Sequence, residues 1–152
     1  MTGPAQVAAL PSWLLTQTAA HAHRILVERL SAIGARGYDY RVLASLDERG
    51  PTSQADLGRS TGIHLSDMVG CLNDLETAHY VERTPDPADR RRNVVTITDR
   101  GRERMQRLAA EASLVQADLL APLSPDERAQ LTALLTRLLE HHDARRGVDE
   151  PE

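Results

Sequence analysis

The 152-residue chain contains no Phe and no Lys, and it has one Cys, one Trp and three Tyr. This scarcity of aromatic residues, beside 21 Leu and 20 Ala, favours an interior of aliphatic side chains on helices and argues against an all-β fold. The single Cys71 excludes an intramolecular disulfide and any site built from several cysteines. All 18 basic residues are Arg, so every cation can make forked contacts with phosphate or carboxylate groups.

Several classes of protein are excluded by missing signals. No apolar run approaches the roughly 20 residues of a membrane span, and the N-terminus lacks the pattern of a signal peptide. We therefore expect a cytoplasmic protein with no membrane partner. The sequence has no phosphate-cradling Gly loop, nucleophile motif or zinc-ligand helix, so it predicts no enzyme activity, no cofactor and no metal site.

The formal net charge of −4 conceals a basic segment. Residues 83–107 hold eight Arg against four acidic residues, whereas residues 108–152 hold four Arg against nine acidic residues. A nucleic-acid partner therefore stays compatible with the acidic average.

Apolar periodicity predicts six helices. The first begins at Ser12 as its cap and reaches about Ile33, and the last begins at the SPDE run, Ser124 to Glu127. Between them we expect helices near residues 40–46, after a cap at Thr52 or Ser53, over 65–75 and after Thr98. The helix over 65–75 should bury one stripe of side chains: Leu65, Met68, Leu72 and Leu75. Residues 1–11 and 147–152 have the composition of frayed termini.

A hairpin is expected between the fourth and fifth helices. Tyr80 to Thr84 and Val94 to Thr98 are β-prone, and the Pro85 to Asn93 segment between them carries three consecutive arginines. Two short helices around a Gly turn, followed by a hairpin, form a winged helix-turn-helix, whose second helix fits a DNA major groove. The candidate DNA contacts are Gln54, His64, Ser66, Asp67, Asn73, Arg90, Arg91 and Arg92. The competing interpretation of the three arginines is a solvated turn.

Two segments, LNDLETAHYVER (72–83) and PDPADRRRNVVTITDRG (85–101), resemble the recognition-helix end and the wing of MarR-type transcriptional regulators. The resemblance implies a homodimer that binds a two-fold DNA site and often releases it on sensing a small aromatic or anionic compound, an oxidant or a metal. It also implies that Asp89 stabilises the wing while Arg91 is presented at its tip. Where that family usually has a Thr and an Arg, this chain has Asp67 and Gly70.

We therefore predict a mainly α, winged-helix protein that is a single domain over residues 1–152. Residues 38–98 form the winged-helix lobe, and residues 12–36 and 99–146 form helices that dimerise. The predicted function is sequence-specific regulation of transcription, as a ligand-responsive repressor bound to a pseudo-palindromic operator. The alternative is a dimer of this fold that binds a ligand or a protein and recognises DNA weakly or without specificity.

A possible effector pocket involves Trp13, His21, Tyr38 and Tyr40. The alternative is that these large amphipathic side chains finish the edge of an aliphatic core. His21 and His23 are two residues apart on a helix and face different directions, so joint metal coordination is disfavoured. Cys71 is expected to be a buried, unreactive thiol.

Overall fold

The structure is a computed structural model that describes residues 5–149, with side chains as far as residue 146. The mainly helical fold with a small β-sheet is confirmed. In chain order the elements are α1 (Ala5–Ala8), α2 (Pro11–Ala32), α3 (Gly37–Arg49), β1 (Thr52–Ser53), α4 (Gln54–Thr61), α5 (Leu65–Thr77), β2 (Val81–Pro85), β3 (Asn93–Ile97), α6 (Asp99–Leu119) and α7 (Pro125–Asp149).

Two helix starts follow the predicted capping residues. The backbone N–H of Asp56 donates to Ser53 Oγ at 3.2 Å, and that of Glu127 donates to Ser124 Oγ at 3.2 Å. The Glu127 carboxylate also accepts from the Ser124 backbone at 2.8 Å, which completes a capping box. The local sequence therefore fixes where α4 and α7 begin.

The start of α2 was predicted wrongly. Its cap residue is Leu10, and Pro11 occupies the first turn, where its fixed φ suits a helix and its missing N–H costs nothing. Ser12 instead lies inside the helix, where its carbonyl oxygen accepts a bond from Thr16 Oγ1. The expectation of frayed ends is also wrong for residues 5–8 and 147–149, which are helical, while residues 1–4 and 150–152 lie outside the described residues.

The sheet has three antiparallel strands in the order β1-β3-β2, rather than the two of the predicted hairpin. Strand β1 is two residues long and pairs Thr52 with Val95 and Ser53 with Val94. A two-residue strand is too short to show alternating apolar and polar residues, and it forms only through its hydrogen bonds to β3. It ties the beginning of α4 to the hairpin.

The core is aliphatic. Helices α3, α4, α5 and α6 and strands β2 and β3 contribute fully buried side chains, among them Leu43, Leu46, Leu57, Met68, Leu72, Val81, Val95 and Leu108. The prediction that Leu65 belongs to this core is wrong, because 69% of its surface is exposed. The buried face of α5 starts at Met68, and Leu65, at the first position of the helix, lies almost a full turn before it.

The chain divides into two compact units, one as far as Val115 and one from Gln116 onward. In the second unit, α7 carries leucines that stay largely exposed: Leu134, Leu135, Leu138 and Leu139. Among the described residues no helix combines the length and apolarity that crossing a membrane requires.

Candidate nucleic-acid interface

Helix α5 packs against the core by its apolar face and exposes a mainly polar one. Gly62 adopts a left-handed backbone with φ of 67°, which ends α4 and turns the chain into α5. The buried side of α5 then packs Met68, Cys71, Leu72 and Leu75 into the core. The predicted contacts His64, Ser66, Asp67 and Asn73 are all exposed.

Asn73 differs from the other predicted contacts of α5, because a neighbouring strand engages it. Arg83 of β2 donates to Asn73 Oδ1 at 2.6 Å and to Glu76 Oε1 at 3.0 Å. The hydrogen bond from Arg83 lowers the pKa of Glu76. Arg83 therefore joins the C-terminal half of α5 to the hairpin and occupies one acceptor of Asn73.

The wing tip is organised by Asp89. One oxygen of its carboxylate accepts from the Arg91 backbone N–H at 3.1 Å and from Arg91 Nε at 3.1 Å, and Arg92 Nε lies 3.8 Å from the other. The side-chain hydrogen bond from Arg91 lowers the pKa of Asp89, so the carboxylate stays charged and keeps the turn closed. Arg90, Arg91 and Arg92 are all exposed at this tip.

A surface depression brings the wing, α4 and α5 together. This depression of about 350 Å³, here called the wing groove, is lined by Ser53, Gln54, Ala55, Arg59, Leu65, Arg91, Arg92 and Asn93. It unites Gln54 with two of the three predicted wing arginines, whereas Ser66, Asp67 and Asn73 lie outside its lining. Sequence reasoning missed Arg59, Leu65 and Asn93. Arg59 lies three residues after Asp56, with which it pairs, and only the folded chain brings it beside the wing.

Cys71 lies behind this interface and is buried, as predicted. Its Sγ donates to Asp39 Oδ1 at 3.5 Å. Burial, reinforced by the nearby Asp39 charge, raises the pKa of the thiol to about 12. The thiol is therefore protonated at neutral pH and is a poor nucleophile.

Comparison with known proteins agrees with this architecture. A sequence profile of the MarR family matches residues 35–92, which extend from just before α3 to the wing tip. PecS of Dickeya dadantii, an HTH-type transcriptional regulator, is 32% identical over 112 residues, or 72% of this chain and 66% of PecS. The chain belongs to the MarR family.

Two further similarities extend this MarR-family assignment. The HTH-type transcriptional repressor NicR of Pseudomonas putida is 28% identical over 98 residues, or 64% of this chain and 62% of NicR. The chain thus spans just under two thirds of the length of NicR and of PecS. The structure of Bordetella bronchiseptica BpsR, whose DNA binding is regulated by 6-hydroxynicotinic acid, superposes with a TM-score of 0.78. BpsR is 24% identical and the match covers 90% of this chain and 97% of BpsR, which establishes a shared fold.

In this MarR-family chain a cavity of about 510 Å³ lies at the junction of α2 and α3. Its walls are apolar side chains of α2 and a polar set of His23, Arg36, Tyr38 and Arg41. The Arg41 guanidinium stacks over the Tyr38 ring at 5.1 Å from its centre. We call this space the α2–α3 cavity.

The structure places Tyr38 in the lining of the α2–α3 cavity and the other three predicted pocket residues outside it. Trp13 is half-buried near the start of α2, and His21 Nδ1 lies 3.5 Å from Arg24 Nη2. Tyr40 lines a separate depression with residues of α3 and α4. His23, Arg36 and Arg41 take their places, and their juxtaposition depends on the turn between α2 and α3, which local periodicity does not specify.

Arg36 connects the cavity to α5. Its Nη2 atom lies 2.7 Å from Asp74 Oδ2, and its backbone N–H donates to Asp39 Oδ2 at 3.0 Å. One guanidinium thus borders the α2–α3 cavity while it neutralises a carboxylate of the helix predicted to enter DNA. Asp74, one of the acidic residues on this helix, is paired within the protein.

Proposed function

We propose that this protein is a sequence-specific, DNA-binding regulator of transcription. The observation that carries the proposal is the wing groove, in which α4, α5 and three arginines meet on one surface. Helix α5 then supplies base contacts and the wing arginines supply phosphate contacts. A regulator of this kind works in the cytoplasm, where it reaches the chromosome.

The proposed active form is a homodimer. Helix α2 exposes Leu14 and Leu15, and α7 exposes a row of leucines, so each helix has an apolar face that the described residues leave uncovered. A two-fold dimer places two copies of α5 about one helical turn apart on the same side of a duplex. The operator is accordingly a pseudo-palindrome with about 10 base pairs between half-site centres.

Selection of bound duplexes from a random pool at moderate salt tests this proposal. We expect recovery of a pseudo-palindrome with that spacing. Recovery of no motif by the purified, folded protein would contradict specific recognition and favour a dimer that acts by binding a ligand or another protein. The exposed carboxylate of Asp67 on α5 is the feature that supports this second candidate, because it repels phosphate. The same carboxylate is also suited to accept from the amino group of cytosine.

We further propose that the protein is a repressor released by a small aromatic or anionic compound in the α2–α3 cavity. A carboxylate bound there competes with Asp74 for the Arg36 guanidinium. Release of Asp74 frees an acidic charge on α5 and disfavours the DNA-bound state. The ligand thus shifts the population between two conformations rather than blocking the interface.

The effector proposal is tested with 6-hydroxynicotinic acid and benzoate as probes. Calorimetry should show tighter binding to the free protein than to the operator complex, since coupling between two ligands is reciprocal. Arg36→Gln should reduce this difference, whereas Arg49→Gln, at the far end of α3, should preserve it. Equal affinities for the free and DNA-bound forms would rule out either probe as an effector.

A further inference from the structure

Leu65 is a large apolar side chain that the described part of the chain leaves uncovered. At 69% it is the most exposed large hydrophobic side chain among the described residues. Nearly all the others lie on α2, α6 or α7, the helices proposed to dimerise. Within the winged-helix lobe the exposed pair is Leu65 and Val69, which lie one turn apart on α5.

The residues around Leu65 indicate which kind of partner binds over it. It lines the wing groove together with Gln54, Arg59, Arg91 and Arg92, so three guanidinium groups border an exposed isobutyl group. A second copy of this surface would bring these cations against each other. A polyanion with apolar groups on its surface complements both features, and duplex DNA is such a partner.

The chemistry of the Leu65 side chain identifies the group on the DNA that it contacts. Leucine has no hydrogen-bond donor or acceptor, so it cannot read the polar pattern of a base pair. In the major groove of unmodified DNA the apolar group is the C5-methyl of thymine. Leu65 is also the first residue of α5, and helical side chains lean towards the N-terminus, the end that contacts base edges in helix-turn-helix proteins.

We infer that Leu65 is a specificity-determining residue that contacts a thymine methyl group in each operator half-site. This inference rests on the proposed function, because it requires α5 to enter the major groove. It explains why an aliphatic side chain stays out of the core at this position, and it assigns the wing groove a base contact beside its phosphate contacts.

The test replaces single thymines of the selected operator with deoxyuridine, which keeps the base pair and removes the methyl group. For the wild-type protein we expect one thymine per half-site at which the affinity falls about fourfold, the factor equivalent to about 0.8 kcal/mol for one buried carbon. Fluorescence anisotropy at fixed salt measures the dissociation constants. Leu65→Ala should bind the thymine and deoxyuridine duplexes equally at that position.

Leu65→Met is the matched control, because it keeps an apolar side chain of similar volume and should keep the sensitivity to deoxyuridine. If the thymines of the operator are all insensitive, or if Leu65→Ala retains the wild-type pattern, the inference is overturned while the proposed function stands. If the folded protein recovers no operator, both fail together.

Discussion

Gly101 occupies a position in α6 that admits no side chain. A Cβ atom there would lie 2.0 Å from the Tyr80 carbonyl oxygen and 2.8 Å from Ile97 Cγ1. The nearer atom belongs to the backbone and cannot rotate away. We therefore expect Gly101→Ala to cost about 2–3 kcal/mol of stability by overpacking. Thermal unfolding followed by circular dichroism should show a Tm lower by roughly 5–10 °C.

Gly70 is the matched control for Gly101. It lies within α5, and a Cβ added there would meet nothing within 4 Å. Gly70→Ala should therefore raise stability by up to about 1 kcal/mol, because alanine is the better helix former. A Gly101→Ala protein as stable as wild type would show that α6 and the β2 start are not in contact as described.

The raised pKa of the Cys71 thiol predicts that the protein loses stability at high pH. Its pKa of about 12 in the folded protein lies above the value of about 8.5 for an unfolded thiol. The stabilisation from keeping the proton is complete below pH 8.5 and declines as the pH rises towards 12. Urea unfolding at pH 7.5 and pH 10 should therefore show a loss of about 1–2 kcal/mol in wild type beyond that in Cys71→Ala. An equal loss in both proteins would contradict the shifted pKa.

Among the elements, the helices were predictable where their signals are local. The caps of α4 and α7 rest on side chains three residues apart, Ser53 with Asp56 and Ser124 with Glu127. The buried positions of α3 and α6 follow the helical repeat, as Val42, Leu46 and Leu108 show. Such signals need nothing beyond one turn of chain, so the sequence alone carries them.

The features that escaped prediction depend on distant segments. Strand β1 forms because Val94 and Val95 lie opposite it, and a segment of two residues is too short for its sequence to predict this pairing. Leu65 has the spacing of a core residue, yet it is exposed and the buried residues of α5 begin at Met68. The α2–α3 cavity gathers His23 and Arg41 across a turn. In each case tertiary packing decides what local periodicity leaves open.

The arginines of the wing predict how the affinity for DNA depends on salt concentration. If each of the six wing-tip arginines in a dimer neutralises a phosphate, the slope of log affinity against log salt contains a wing contribution of about −5. Arg91→Ala should make the measured slope shallower by about two units, one for each wing. DNA-binding titrations at salt concentrations between about 50 and 200 mM measure this slope. Arg145→Ala, an exposed arginine on α7, should leave the slope unchanged, and an unchanged slope in Arg91→Ala would remove the wing from the interface.

For the whole molecule the decisive property is the uncovered apolar surface of α7. Spacing of 100° per residue places Leu131, Leu134, Leu135, Leu138 and Leu139 on one side of this helix, and the last four are exposed. Solubility does not account for leucines aligned on one side of a helix in an acidic segment. Their alignment therefore favours contact with a second copy of the chain. The proposed two-fold operator depends on that contact.

Leu138→Glu should therefore separate the dimer. Light scattering after size exclusion should give the wild-type protein twice the chain mass of 16.7 kDa and the variant a single mass, since a carboxylate in an apolar interface is costly to desolvate. Ala133→Glu places the same charge on the opposite side of α7 and should stay dimeric. The Leu138→Glu monomer should also lose preference for a full operator over a half-site. A monomeric wild-type protein would contradict the dimer, and the half-site spacing predicted from it would have no basis.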